Sequence, residues 1–162
     1  MSSLSSRDRI LQRIRRANTQ PPAQQPIPRN YDHVSGRTPA ETLAQFDERL
    51  RDYDARVFTA HSAAISSVIA EILIAANRRR IAIPTGLPAE WRSETIEWIG
   101  DTNLSVDALN SVDGVMTAAT VCVAASGSIA LQHGPAEGRR ALTLLPDYHL
   151  CVVEASQIVE TL

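Results

Sequence analysis

The stretch SAAISSVIAEILIAANRRRIAIPTG, residues 62–86, holds a helix and a strand in direct succession. Ile65, Val68, Ile69, Ile72, Leu73 and Ala76 recur every three or four residues, which predicts a helix with a broad apolar face. The segment RRIAIP then reads as a short strand, ended by Pro84-Thr85-Gly86. A helix feeding an apolar strand is the repeating unit of a layered α/β protein.

Outward from this unit the alternation continues. On the N-terminal side, TPAE places Thr38 at a helix cap, Pro39 at the first helical position and Glu41 in a capping box. Leu43, Phe46, Leu50 and Tyr53 follow as one apolar stripe, and ARVFTA (55–60) predicts a strand. On the C-terminal side, Trp91, Thr95 and Trp98 share a helical face, NLSV (103–106) predicts a strand, and DALNSVDG (107–114) predicts a helical piece closed by Gly114. This order predicts a parallel sheet with helices on its faces. Then the pattern changes. TVCVAA (120–125), SIALQ (128–132), RALTLL (140–145) and HLCVVE (149–154) read as four short strands with no helix between them, and SQIVETL (156–162) as a capped helical start.

Three parts follow from this reading. Residues 1–17 form an amphipathic helix, with Ser5 and Asp8 at its cap and Ile10, Leu11, Ile14 and Ala17 on one side. Residues 18–37, with four prolines, form a linker or arm. Residues 38–162 form a single α/β domain. With aromatics at 4%, aliphatic side chains must fill the core. No apolar run approaches the ~18 residues of a membrane span, and no apolar h-region follows the N-terminus. Cys122 and Cys151 sit in apolar runs, so buried free thiols in a cytoplasmic protein are expected.

Charge is unevenly spread. Residues 1–80 hold thirteen Arg and eight acids; residues 81–162 hold three Arg and ten acids. No aromatic platform or base-reading motif accompanies the basic half, so nucleic acid is not expected as a partner. All sixteen basic residues are Arg. A Walker A loop, a pyridoxal-phosphate enzyme and a Schiff-base aldolase all need a Lys and are excluded. Two cysteines fall short of the usual four ligands of an iron–sulfur cluster, and neither C-x-x-C nor H-x-x-x-H spacing supports a metal.

The chemistry concentrates in ASGSIALQHGPAEGRRALTLLPDYH, residues 125–149. Ser126-Gly127-Ser128 reads either as a hairpin turn or as a small anion nest of amides and hydroxyls. In HGPAEGRR, Gly134, Pro135 and Gly138 specify a loop, and Arg139 and Arg140 follow it. On a strand these two arginines would point to opposite faces, so one at most would enter a site. His133 is a candidate base or donor.

Residues 123–153, VAASGSIALQHGPAEGRRALTLLPDYHLCVV, resemble the signature of the lactate utilization protein C family, the LUD domain. Ala124, Ser126, Gly127, Ser128, Gly138, Arg139, Arg140, Leu144, Pro146 and His149 match it, and RDRILQRIRRA (7–17) is similar to the family's N-terminal helix. The resemblance implies a Rossmann-like three-layer αβα sandwich similar to NagB/RpiA/CoA-transferase-like proteins, with antiparallel hairpin strands in the C-terminal half. It implies a part in oxidising L-lactate to pyruvate beside separate iron–sulfur partner proteins. The clusters would lie in those partners and none in this chain, which would bind or couple. Ser126, Gly127, Ser128, His133, Gly134, Gly138, Arg139 and Arg140 would hold a small anionic ligand. Three departures stand out. Ala125 replaces a usual acid, Ala136-Glu137 replaces a common Gly-Gln, so that a carboxylate is expected to oppose an anion, and the family pattern continues past Leu162. Two alternatives stay open: an independent isomerase or CoA-transferase-like enzyme, or a binding module whose site has degenerated.

Overall fold

A computed structural model describes residues 5–19 and 36–161. The chain divides into two compact units, within residues 1–34 and 35–162. The first contains α1 (Ser6–Asn18), capped by the Ser5 hydroxyl, which accepts from the Asp8 amide. None of its residues is buried. Residues 20–35, most of the expected linker, lie outside the described residues.

In the second unit, α2 (Pro39–Asp52) begins with the expected capping box: the Glu41 amide donates to Thr38 Oγ1, and the Glu41 carboxylate accepts from the Thr38 amide. Next come α3 (Ile65–Ala75) and β1 (Arg80–Ile83), as the opening stretch requires. β2 (Glu97–Gly100), α4 (Val106–Asn110), β3 (Gly114–Ala118), β4 (Val121–Val123) and β5 (Ser128–Ala130) follow. The last elements are α5 (Arg140–Leu144), β6 (His149–Val152) and β7 (Ile158–Val159).

The central sheet is parallel, in the order β2-β1-β3-β6. Its side chains alternate between two cores. Ile81, Ile83 and Met116 face one way, against Ile69 and Leu73 of α3. Ala82 and Val115 face the other, against Leu109 of α4 and Leu142 of α5. Helices therefore cover both faces, giving a mixed α/β protein of three layers. A second sheet, β5-β4-β7, pairs β4 antiparallel with β5 and parallel with β7. Phe46 of α2 packs with Cys122 and Ala124 of this part. Among the described residues no helix is long and apolar enough to cross a membrane.

Several local expectations are corrected. Residues 55–60 join no strand; Phe58 is exposed, with the Arg56 guanidinium 5.3 Å above its ring. Trp91 ends a 3-10 turn and Trp98 lies in β2, so they share no helix. Residues 103–105 of NLSV form a turn, because Asp101 Oδ1 accepts from the amides of Asn103 and Leu104 and Ser105 caps α4, which Val106 begins. Gly114 opens the buried strand β3 rather than closing a helix. RALTLL forms α5, since Leu142 must reach the core shared with α4. SQIVETL begins in a 3-10 turn and continues into β7, whose Ile158 pairs with Cys122. Of the four C-terminal strand candidates, two form the β4/β5 hairpin, and HLCVVE joins the central sheet in parallel.

Candidate functional site

The strand order makes the chain turn left from β1 to β2 and then right to β3, so a topological switch lies beside β1. In open α/β sheets ligands bind outside the carboxyl ends of the strands at such a point. Here that position is an open cleft of about 590 Å³. Pro84 and Thr85 enter it from the end of β1, Asp101 and Asn103 from the end of β2, and His133, Gly134, Pro135, Gly138, Arg139 and Arg140 from the loop before α5.

Close backbone contact holds the loop on β1. The Gly86 amide donates to the Pro135 carbonyl at 3.0 Å, and a Cβ on Gly86 would stand 2.5 Å from Pro135 Cβ. Gly138 has φ 71°, a left-handed conformation suited to glycine.

Arg139 crosses to β2. Its Nε and Nη2 donate to Asp101 Oδ2 and Oδ1, at 2.8 and 3.1 Å, and Nη2 also donates to the Leu104 carbonyl. The Asp101 side chain is only 3% exposed. The Arg139 hydrogen bonds hold its carboxyl below the usual range against the opposing effect of burial, and the Leu104 and Asn103 amides assist. Arg139 is thus already neutralised. Arg140 is exposed on the cleft wall, and among the described residues no ion pair engages it.

Glu137 does not face the cleft as an opposing carboxylate. It is buried, at 6% exposure, and accepts from the Thr120 hydroxyl and the Gly134 amide. Burial pushes its carboxyl up, but Thr120 and the amides of Gly134, Gln132 and His133 outweigh that and hold it below the ordinary value. The amides of this loop are therefore turned onto the chain's own carboxylate. His133, at φ 58°, shares in this arrangement, with its Nδ1 3.1 Å from the Gly138 carbonyl oxygen.

The expected residues do not form one site. His133, Gly134, Gly138, Arg139 and Arg140 line the cleft. Ser126, Gly127 and Ser128 are at the other end of β5, on the β4/β5 turn, where a Cβ on Gly127 would be 2.9 Å from Arg49 Cβ. Their hydroxyls bond each other at 2.8 Å. His149 sits on β6, with Nε2 2.8 Å from the buried Thr117 hydroxyl. Desolvation of that end lowers its pKa, although the residue as a whole keeps solvent access. Sequence reasoning missed Thr85, Asp101 and Asn103. Their signal was position, just after two parallel strands. Among the described residues no three of His, Cys, Asp and Glu gather to hold a metal ion.

These features define an α/β protein with an open cleft at the carboxyl ends of a parallel sheet. The LUD domain family matches residues 94–162. A protein of Deinococcus radiodurans named lactate utilization protein C is 40% identical over 123 residues, 75% of this chain and 57% of that relative. The crystal structure of a DUF162 family protein from the same organism is 38% identical, with a TM-score of 0.75, over 78% of this chain and 76% of that one. The chain belongs to the LUD domain family. It spans 57% of the length of the lactate utilization relative.

Proposed function

We propose that this chain takes part in the oxidation of L-lactate to pyruvate, as a non-redox subunit that binds and couples. The observation that carries the reading is Arg140, a cation in the cleft that no ion pair engages among the described residues, beside an arginine already neutralised by Asp101. A single open guanidinium suits one carboxylate. The name of the relative supports lactate as the metabolite. The electrons then pass to separate iron–sulfur partner proteins, because this chain has two cysteines against the four that a cluster usually takes. Both cysteines are free thiols, which suits a reducing cytoplasm.

The test is genetic and biochemical. Deleting the gene should abolish growth on L-lactate as sole carbon source, and the tagged chain should co-purify with cysteine-rich iron–sulfur proteins. Normal growth on lactate, with no such partner recovered, would overturn the reading.

A further inference from the structure

Helix α1 has no part in the cleft, and none of its residues is buried. Ile10 and Ile14 are 59% and 51% exposed, and Leu11 beside them is open as well. At about 3.6 residues per turn, Ile10, Ile14 and Ala17 fall on one stripe with Leu11 on its flank. Arg13 borders the stripe on one side and Arg15 on the other. Arg7 stands at its N-terminal end, and Arg9 and Arg16 lie further round. Among the described residues no ion pair engages any of the five. Five arginines and one aspartate give α1 a net charge of +4. The whole chain has sixteen arginines and eighteen acids, so the rest of it holds eleven and seventeen, a net −6. α1 is thus a cation on an otherwise anionic chain. A helix of 13 residues with no buried face is marginal in water, and a surface that takes its apolar stripe stabilises it.

We propose that α1 is a membrane-surface helix, which lays Ile10, Leu11 and Ile14 into the boundary of an anionic lipid bilayer while Arg13 and Arg15 reach the headgroup phosphates. A short apolar stripe with cations along both borders lies in the plane of the interface and does not span it. Arginine at such a border runs its methylenes along the apolar boundary and sets its guanidinium at the level of the phosphates, which it binds through paired N–H groups. The side chains favour lipid over a protein groove. α1 has no aromatic residue to anchor in a pocket, and its aliphatic stripe is narrow, so charge supplies most of the attraction. The remainder of the chain, at −6, adds no net attraction to an anionic surface.

The test is co-sedimentation of the full chain with vesicles of phosphatidylcholine alone and of phosphatidylcholine with one-third phosphatidylglycerol. The chain should pellet with the anionic vesicles only. Raising sodium chloride from about 0.05 M to about 0.5 M should release it, because the screening length contracts. Arg13→Gln with Arg15→Gln should weaken binding about tenfold, and Ile10→Gln with Ile14→Gln by about as much. Arg13→Lys with Arg15→Lys should keep most of it. None of the substituted side chains is buried, so the melting temperature of each variant should match that of the unmodified chain. Absence of binding to the anionic vesicles would overturn the proposal. So would equal binding to the two kinds of vesicle, or binding that survives the loss of either residue pair to Gln. Self-association in place of vesicle binding, abolished by the Ile10 and Ile14 substitutions, would assign the face to a second copy and overturn it as well.

Discussion

Arg139 and Asp101, 38 residues apart in sequence, meet through two hydrogen bonds of 2.8 and 3.1 Å and tie the loop before α5 to the end of β2. The pair closes one wall of the cleft and leaves the neighbouring Arg140 as its open cation. Removing the charge of Asp101 should loosen this wall. Asp101→Asn is expected to lower stability by about 1–2 kcal/mol, the scale of a lost charge-assisted hydrogen bond. Urea denaturation monitored by tryptophan fluorescence measures it.

The same pair shapes the acid limb of the stability curve. Asp101 has its folded pKa depressed, by Arg139 above all. Its contribution is complete above the ordinary carboxylate pKa of about 3.9 and is lost as pH falls through the lower folded value. Melting curves of Asp101→Asn between pH 6 and pH 2 should show a shallower acid decline than the unmodified chain.

Glu137 caps the loop from beneath. Glu137→Gln keeps the size of the side chain, yet it puts an NH2 group where an acceptor is needed. The expectation is a loss of about 1–2 kcal/mol and faster hydrogen exchange at the amides of residues 132–134. Unchanged exchange would remove Glu137 from this role.

Gly86 permits the approach of Pro135. Gly86→Ala places a Cβ 2.7 Å from the Pro135 carbonyl carbon and 2.8 Å from its oxygen, which are backbone atoms that cannot rotate away. A destabilisation of about 1–3 kcal/mol is expected, as for overpacking, together with weaker lactate binding as the loop lifts. Calorimetry and urea denaturation read the two effects.

Arg140 should behave in the opposite way. It is exposed and makes no ion pair among the described residues, so Arg140→Ala should leave the melting temperature unchanged. The variant should fail to restore growth on lactate in the deletion strain.

The two thiols should be quiet. Burial pushes both Cys122 and Cys151 up to about 11. At pH 8 the folded chain should react slowly with a thiol reagent such as 5,5′-dithiobis(2-nitrobenzoate), and both cysteines should react rapidly once urea unfolds it.

Long periodic segments were legible without the structure. The apolar face of α3, the capping box at Thr38 and the strand β1 all follow from local spacing, and so does the hairpin turn at Gly127; of the stripe expected on α2, Phe46 is buried but Leu43 and Tyr53 are exposed. Short apolar runs were not. RALTLL has the composition of a strand or a helix, and Gly114, which opens β3, passes for the residue that closes a helix. At five residues neither period can establish itself, so the available partner decides. Leu142 finds the core beside Leu109, and β3 finds β1 and β6.

The sequence by itself determined the layered α/β class, the capping box that starts α2 at Thr38 and the glycine turns at Gly127 and Gly138. Its spacing is local, and helical periodicity, caps and glycine turns are local physics. Only the tertiary structure decided which arginine is open. Arg139 and Arg140 are adjacent and chemically identical, and sheet pairing sets Asp101 against the first of them. It likewise decided that Glu137 serves the loop from inside rather than facing a ligand, because Thr120 on the approach to β4 supplies the partner. Charge acts through space, and the fold sets which charges are neighbours.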